Sequence, residues 1–169
     1  MVNFAPSMQY LLSLGSNIGD RLKNLSDAVY LIGCRCGRVL NASAIYQTPP
    51  WGFTADQPFY NQVLLLDSEL EPHSLLAQLL AIEIELGRTR VEGAVGYTSR
   101  TIDLDMLMAG DTVIHTEGLE LPHPRFHERA FVLIPACEIA SEWCHPITGA
   151  TIGELAGMHK MPVDMIRLP

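Results

Sequence analysis

Asp103 and Asp105 stand two positions apart in the run Arg100-Thr101-Ile102-Asp103-Leu104-Asp105-Met106-Leu107. In an extended segment successive side chains leave from opposite faces. Both carboxylates therefore project together, while Ile102, Leu104 and Met106 point the other way, into a core. Two parallel carboxylates repel each other unless a cation lies between them. Mg²⁺ is the natural guest, because it takes one or two carboxylates, keeps waters and completes its shell with phosphate oxygens. A bare D-x-D also occurs on a solvated strand face, so the neighbours have to decide. Arg88, Arg90, Arg100, Arg125 and Arg129 crowd the same part of the chain. Arginine suits multidentate recognition of phosphate. Glu83 falls in the middle of an apolar arc formed by Leu75, Leu76, Leu79, Leu80, Ile82, Ile84 and Leu86 on a helical wheel of about 100° per residue. A carboxylate there needs a partner or a wet cleft. Phe59, Asn61 and Phe131 add a different chemistry: two rings able to sandwich a flat heterocycle and an amide able to read its edge. The carboxylates and arginines together predict a Mg²⁺-nucleotide site, whereas the two rings, taken alone, read first as core packing.

The elements that must position them follow from periodicity and punctuation. Met8 to Leu14 reads as a buried strand that runs into the turn Gly15-Ser16-Asn17-Ile18-Gly19-Asp20. Leu22, Leu25, Val29 and Ile32 recur at helical steps, and Gly33 is placed to end that helix. Arg38 to Gln47 alternates as a second strand, Thr48 to Asp56 is a proline-rich stiff loop, and Phe59 to Ser68 is a third strand. Pro72 is acceptable at the first turn of a helix that runs to Leu86. Arg88 to Ser99 has no periodicity. With arginine at both ends it predicts a lid that closes over an anion. Thr101 to Met108 is a fourth strand, Thr112 to Leu121 a short hairpin, and helical segments cover 127–137 and 151–158. The order strand, helix, strand, strand, helix, strand predicts an α+β fold of the ferredoxin-like β-α-β-β-α-β kind. It would be a sandwich with a mostly antiparallel sheet, two helices on one face and a helical C-terminal extension.

At 169 residues and 18.7 kDa the chain suffices for one domain, 1–169, with a core that needs no disulfide. A formal net charge of -8 argues against sequence-blind binding to nucleic acid or anionic membrane. No apolar stretch is long enough for a membrane span, and Met1 to Ser7 carries no positive charge, so a secretory signal is not expected and a cytoplasmic protein is. Cys34, Cys36, Cys137 and Cys144 form no C-x-x-C pair, which argues against zinc and for reduced thiols. Cys144-His145 is read as a surface pair, because nothing nearby would orient it as a nucleophile.

Several short motifs occur in a fixed order: Gly15-Ser16-Asn17, Tyr46-x-Thr48-Pro49-Pro50-x-Gly52, Gln57-Pro58-x-x-Asn61, Glu83-x-x-x-Gly87-Arg88, Arg100-Thr101-x-Asp103-Leu104-Asp105, and Leu121-Pro122-His123-Pro124-Arg125 followed by Arg129-Ala130-Phe131-Val132-Leu133. In this they resemble the 6-hydroxymethyl-7,8-dihydropterin pyrophosphokinases of the folate pathway, over roughly residues 9–156. The resemblance implies transfer of the β,γ-pyrophosphoryl group of ATP to the hydroxymethyl oxygen of the dihydropterin, releasing AMP. It implies that Asp103 and Asp105 hold two Mg²⁺ ions and that Arg88, Arg100, His123 and Arg129 contact the triphosphate, with Glu83 supporting that region. It implies that Phe59 and Phe131 sandwich the pterin, beside Pro49, while Asn61 with backbone groups of Thr48 and Trp51 reads its edge. The implied partners are ATP and the pterin, with the protein a monomer; a lid ordered by phosphate would shape the second pocket, so Mg-ATP is expected to bind first and the pterin second. The chain departs from the family pattern in the lid, where Gly96, Tyr97 and Thr98 stand in place of a basic residue, a tryptophan and a small residue. Two other readings stay open at this point: a phosphohydrolase or nucleotidyltransferase built on the same site, and a non-catalytic ligand sensor.

Overall fold

The computed structural model describes residues 7–50, 53–89 and 98–169. Strand β1 (Met8–Ser16) leads into α1 (Arg21–Arg35), then β2 (Arg38–Ala42), β3 (Tyr46–Thr48), β4 (Phe59–Ser68), α2 (Pro72–Glu85) and β5 (Asp103–Ala109). A hairpin follows, β6 (Ile114–Thr116) with β7 (Leu119–Leu121), then α3 (Ala130–Ala140), α4 (Ile152–Gly157) and a short β8 (Ile166–Arg167). The main sheet runs in the order β5-β1-β4-β3-β8, with β2 also paired to β4, and all of its pairings are antiparallel. The fold is thus α+β with a mostly antiparallel sheet, as the element order predicts.

Two local expectations are corrected. Helix α1 does not stop at Gly33 but continues to Arg35. The residue that ends it is Gly37, whose φ of 146° is open to glycine, and whose missing Cβ would lie 2.2 Å from the Asp67 carbonyl oxygen. The single strand expected over 38–47 is two strands broken at Ser43. That side chain is turned inward to accept from the Val63 amide, while its own amide donates to the Val63 carbonyl. Helices α1 and α2 share one face of the sheet, as expected, and the C-terminal helices take the other. Tyr10, Leu12, Leu14, Leu64, Leu66, Leu104 and Met106 pack against α1 and α2. Leu11, Val63, Leu107 and Met108 pack on the other face against Val132, Leu133 and Ala136 of α3 and Ile152 and Leu155 of α4. The C-terminal extension is therefore a third layer, and its last residues add β8 to the sheet edge, an element that two residues of sequence could not announce.

Side-chain chemistry explains the boundaries. Asp20 caps α1 by accepting from the Lys23 amide at 3.0 Å. Pro72 opens α2 where no donor is needed. Thr151 and Glu154 form a reciprocal capping box at α4. Among the described residues no helix is long and apolar enough to cross a membrane.

Candidate functional site

The sheet register builds the site. Across β5, β1, β4 and β3, one row of paired residues reads Asp103, Gly15, Asn61 and Tyr46. The next row pairs Asp105 with Ser13 and Ser13 with Val63. Cross-strand partners share a face, so the carboxylate pair and Asn61 open on the same side of the sheet, towards the N-terminal end of α3. Gly15 sits between them. A Cβ there would stand 3.2 Å from the Asn61 Oδ1, so the missing side chain lets the two groups border one space.

That space is a cavity of about 630 Å³ lined by both sets of groups. At one end stand Glu83, Arg88, Arg100, Asp103, Asp105, His123 and Arg129. At the other stand Thr48, Pro49, Phe53, Phe59, Asn61 and Phe131. Each end requires chain segments distant in sequence, brought together only by the sheet.

At the charged end, Asp103 is gripped on both oxygens. Arg88 Nη1 donates to Oδ1 at 2.5 Å and Arg100 Nη1 to Oδ2 at 2.5 Å. Glu83 is almost wholly buried, at 1% exposure. Its carboxylate pairs with Arg88 and accepts from the Leu104 amide at 2.7 Å. Leu104 lies between the two aspartates on an edge strand, so Glu83 satisfies an outward-facing amide that would otherwise be stranded. This answers the odd position of Glu83 on the helical wheel: a carboxylate in the apolar arc locks α2 to β5. Breaking such a buried pair costs about 3–5 kcal/mol. Burial works against the Arg88 charge, but the Asp103 and Glu83 carboxylates outweigh it and hold the guanidinium more firmly protonated than usual.

Arg100 is held in turn by the β1–α1 turn. Asn17 accepts from the Arg100 amide at 2.7 Å, donates to Ser99 Oγ at 3.0 Å, and its own amide donates to the Arg100 carbonyl. Asn24 reaches across to the Thr101 carbonyl at 3.1 Å. Asn17 and Asn24 are positioning residues. The motif Gly15-Ser16-Asn17 contains the first of them, but spacing alone does not disclose its role.

Asp105 differs from Asp103. Among the described residues no cationic side chain bonds to it. Burial and the neighbouring Asp103 and Glu83 charges push its carboxyl up from 3.8 to about 7. His123 is driven the opposite way, from 6.5 to about 4, by burial and by the Arg129 charge. It is therefore a neutral ring near pH 7.

The chemistry of the donor set bears on the divalent ion that the sequence suggests. A carboxylate with a raised pKa and no bonded cation, two positions from a second carboxylate, suits a hard ion that takes one or two protein oxygens and draws the rest from phosphate and water. The residues fit Mg²⁺.

At the other end the groups are neutral. Asn61 Nδ2 donates to Thr48 Oγ1 at 2.7 Å, and both side chains are buried. That bond fixes the amide orientation and leaves its remaining donor and acceptor capacity for a ligand. Phe59 meets Phe53 edge-to-face with centroids 6.1 Å apart. Phe53 escapes a reading of the sequence because it sits in an aperiodic loop. Arg125 has the composition of a site residue but does not line the cavity. Trp51, Arg90 and the lid positions Gly96 and Tyr97 lie outside the described residues.

The molecule is an α+β domain with a cavity that is ionic at one end and aromatic at the other. The sequence pattern of one family, 7,8-dihydro-6-hydroxymethylpterin-pyrophosphokinase (HPPK), matches residues 11–141. The 2-amino-4-hydroxy-6-hydroxymethyldihydropteridine pyrophosphokinase of Porphyromonas gingivalis is 45% identical over 136 residues, covering 80% of this chain and 92% of the relative. The enzyme of the same name from Methylorubrum extorquens is 44% identical over 144 residues, covering 85% of this chain and 88% of its own. Among solved structures, Plasmodium falciparum HPPK-DHPS with pterin and p-hydroxybenzoate superposes with a TM-score of 0.73 at 17% identity, over 94% of this chain and 42% of that one. This chain thus spans less than half of that solved chain, and the likeness there is one of fold. The chain belongs to the 7,8-dihydro-6-hydroxymethylpterin-pyrophosphokinase family and is an enzyme of that family.

Proposed function

We propose that the protein transfers the β,γ-pyrophosphoryl group of ATP to the hydroxymethyl oxygen of 6-hydroxymethyl-7,8-dihydropterin, releasing AMP. The observation that carries this reading is the single cavity whose ionic and aromatic ends meet across Gly15. A triphosphate at one end and a pterin at the other would bring phosphorus and hydroxyl together there.

The pterin oxygen attacks the β-phosphorus, and the bond from that phosphorus to the oxygen bridging the α-phosphate breaks. The hydroxyl proton leaves to solvent. Such a transfer needs positioning and charge stabilisation more than a protein base. Asp103 and Asp105 would hold two Mg²⁺ ions, which when bound neutralise phosphate charge and lower the pKa of the acceptor hydroxyl. Three carboxylates and three arginines at this end leave little net positive charge, so the arginines alone are a weak match for a triphosphate. Arg88 and Arg100, released in part from Asp103 as metal takes their place, would turn to phosphate oxygens. Arg129 and the neutral His123 would donate further bonds. Glu83 keeps β5 in register with α2 throughout. Phe59 and Phe131 would hold the pterin ring beside Pro49, with Asn61, Thr48 and the Trp51 backbone on its edge.

The test is incubation with the dihydropterin, ATP and Mg²⁺. AMP and a diphosphorylated pterin are expected in equal amounts. Phosphate or ADP as the nucleotide-derived product would instead favour a phosphohydrolase or a simple kinase.

A further inference from the structure

Glu138 lies outside the cavity lining, yet it is the most heavily bonded side chain of α3. Its Oε1 accepts from the Tyr46 hydroxyl at 2.5 Å, and its Oε2 accepts from the Ala44 amide at 2.7 Å. Arg167 of β8 adds a bond from Nε at 3.2 Å. Among the described residues, every hydrogen bond between α3 and the segment 44–48 is made by Glu138.

The two elements it joins carry the two sides of the aromatic end. Glu138 is seven residues beyond Phe131. At about 100° per residue the two side chains leave α3 within roughly 20° of each other, about 10 Å apart along the axis. Tyr46 is the register partner of Asn61, and Thr48 is the partner of Phe59. Tyr46, buried at 4% exposure, therefore stands in the row of Asn61 and reaches up under α3. Strand β3 is only three residues long, at the short limit for strands.

We infer that Glu138 is a positioning residue for the pterin end, clamping the helix that bears Phe131 to the strand that bears Thr48 and so setting the width of the slot between them. The inference rests on the proposed placement of the pterin. Tyr46 is suited to its part, since burial and the Glu138 charge hold its hydroxyl as a donor, with the pKa pushed up to about 12. Burial acts to raise the Glu138 carboxyl, but the bonds from Tyr46, Ala44 and Arg167 outweigh it and keep the group ionised. Arg167 is the lesser partner, because its ion pair with Glu138 is largely exposed and such pairs contribute little.

The experiment compares wild type, Glu138→Gln and Tyr46→Phe by calorimetric binding of a non-hydrolysable ATP analogue with Mg²⁺, and then of 6-hydroxymethylpterin to the analogue-saturated protein, with KM for each substrate and thermal midpoints alongside. The Glu138→Gln change presents an amide where two donors now converge. Tyr46→Phe removes one bond and leaves the Ala44 contact intact, so it remains informative if the first variant folds poorly. The expected result is pterin affinity weakened by about tenfold in either variant, with the analogue's affinity unchanged and the rise confined to KM for the pterin. Unchanged pterin affinity in both variants overturns the inference. So does parallel weakening of both ligands with a fall in melting temperature, which marks a merely structural residue. Failure of the wild type to bind the pterin defeats the placement of the substrate itself, and is recognised before any variant is compared.

Discussion

At the charged end of the cavity the side chains are already engaged with one another. Asp103 is held by Arg88 and Arg100, and Arg88 by Glu83. At the aromatic end the one hydrogen bond between lining side chains, among the described residues, is neutral, from Asn61 to Thr48, and shape comes from Phe53, Phe59 and Phe131. Under the proposed function the first arrangement is a set of partners to be exchanged: arginine for metal on the aspartate, aspartate for phosphate on the arginine. The second has nothing to exchange. It is fixed by strand register and can discriminate only by fit and by an oriented amide. A charged ligand with many alternative contacts and a flat ligand with few call for these two solutions.

Substitution at one end should leave the other working. The largest effect belongs to Asp103→Ala, which removes a proposed metal ligand and the shared partner of two arginines. Turnover should fall by about 10³-fold, while the pterin affinity measured without nucleotide, however weak in wild type, stays near the wild-type value. Substantial activity in that variant would break the division of labour. Asn61→Ala comes next. It should weaken pterin binding roughly 10–100-fold and leave the affinity for an ATP analogue unchanged, both read by calorimetry.

A smaller effect concerns stability and separates the two aspartates. The folded chain holds the Asp105 proton up to about pH 7, against 3.8 ordinarily. Between those values the folded state binds more protons than the unfolded one, so stability falls as pH rises through that window. Asp105→Asn removes the fall. In chelator and without nucleotide, it should be more stable than wild type by about 1–2 kcal/mol at pH 8, with the gap closing towards pH 4, as followed by urea denaturation. It should also be inactive. Equal stabilities across that range would mean that Asp105 carries no such penalty.

The smallest effect tests the boundary. Gly15→Ala would set a methyl group 3.2 Å from the Asn61 oxygen. A few tenths of an ångström of adjustment would relieve it, so a rise of only a few-fold in KM for the pterin is expected, with KM for ATP unchanged.

Much of the charged end is legible in the sequence because it rests on local geometry. Strand alternation puts Asp103 and Asp105 on one face, and the helical wheel exposes Glu83 as a carboxylate in an apolar arc. Arg88 and Arg100, which the sequence crowds near that pair, both form ion pairs with Asp103. The aromatic end is less legible from the residues themselves. Phe59 and Asn61 look like any alternating strand, and their meeting with Phe131 depends on α3 covering the second face, which the element order does not show. Phe53, in an irregular loop, gives no periodic signal. The boundary errors share a cause: Gly33 and Gly37 are equally plausible helix stops until the Asp67 carbonyl, far along the chain, excludes every residue but glycine at the second. The clamp at Glu138 is invisible for the same reason, since its partners Ala44 and Tyr46 lie more than 90 positions away.

The central claim is that both ends serve one reaction. Its most direct test is a single turnover of the wild-type chain with the dihydropterin, Mg²⁺ and ATP labelled in the β-phosphate, with nucleotide and pterin products separated. Label is expected in a diphosphorylated pterin, with one unlabelled AMP for each pterin converted. Label retained in ADP, or released as phosphate or pyrophosphate with the pterin unchanged, would contradict the claim.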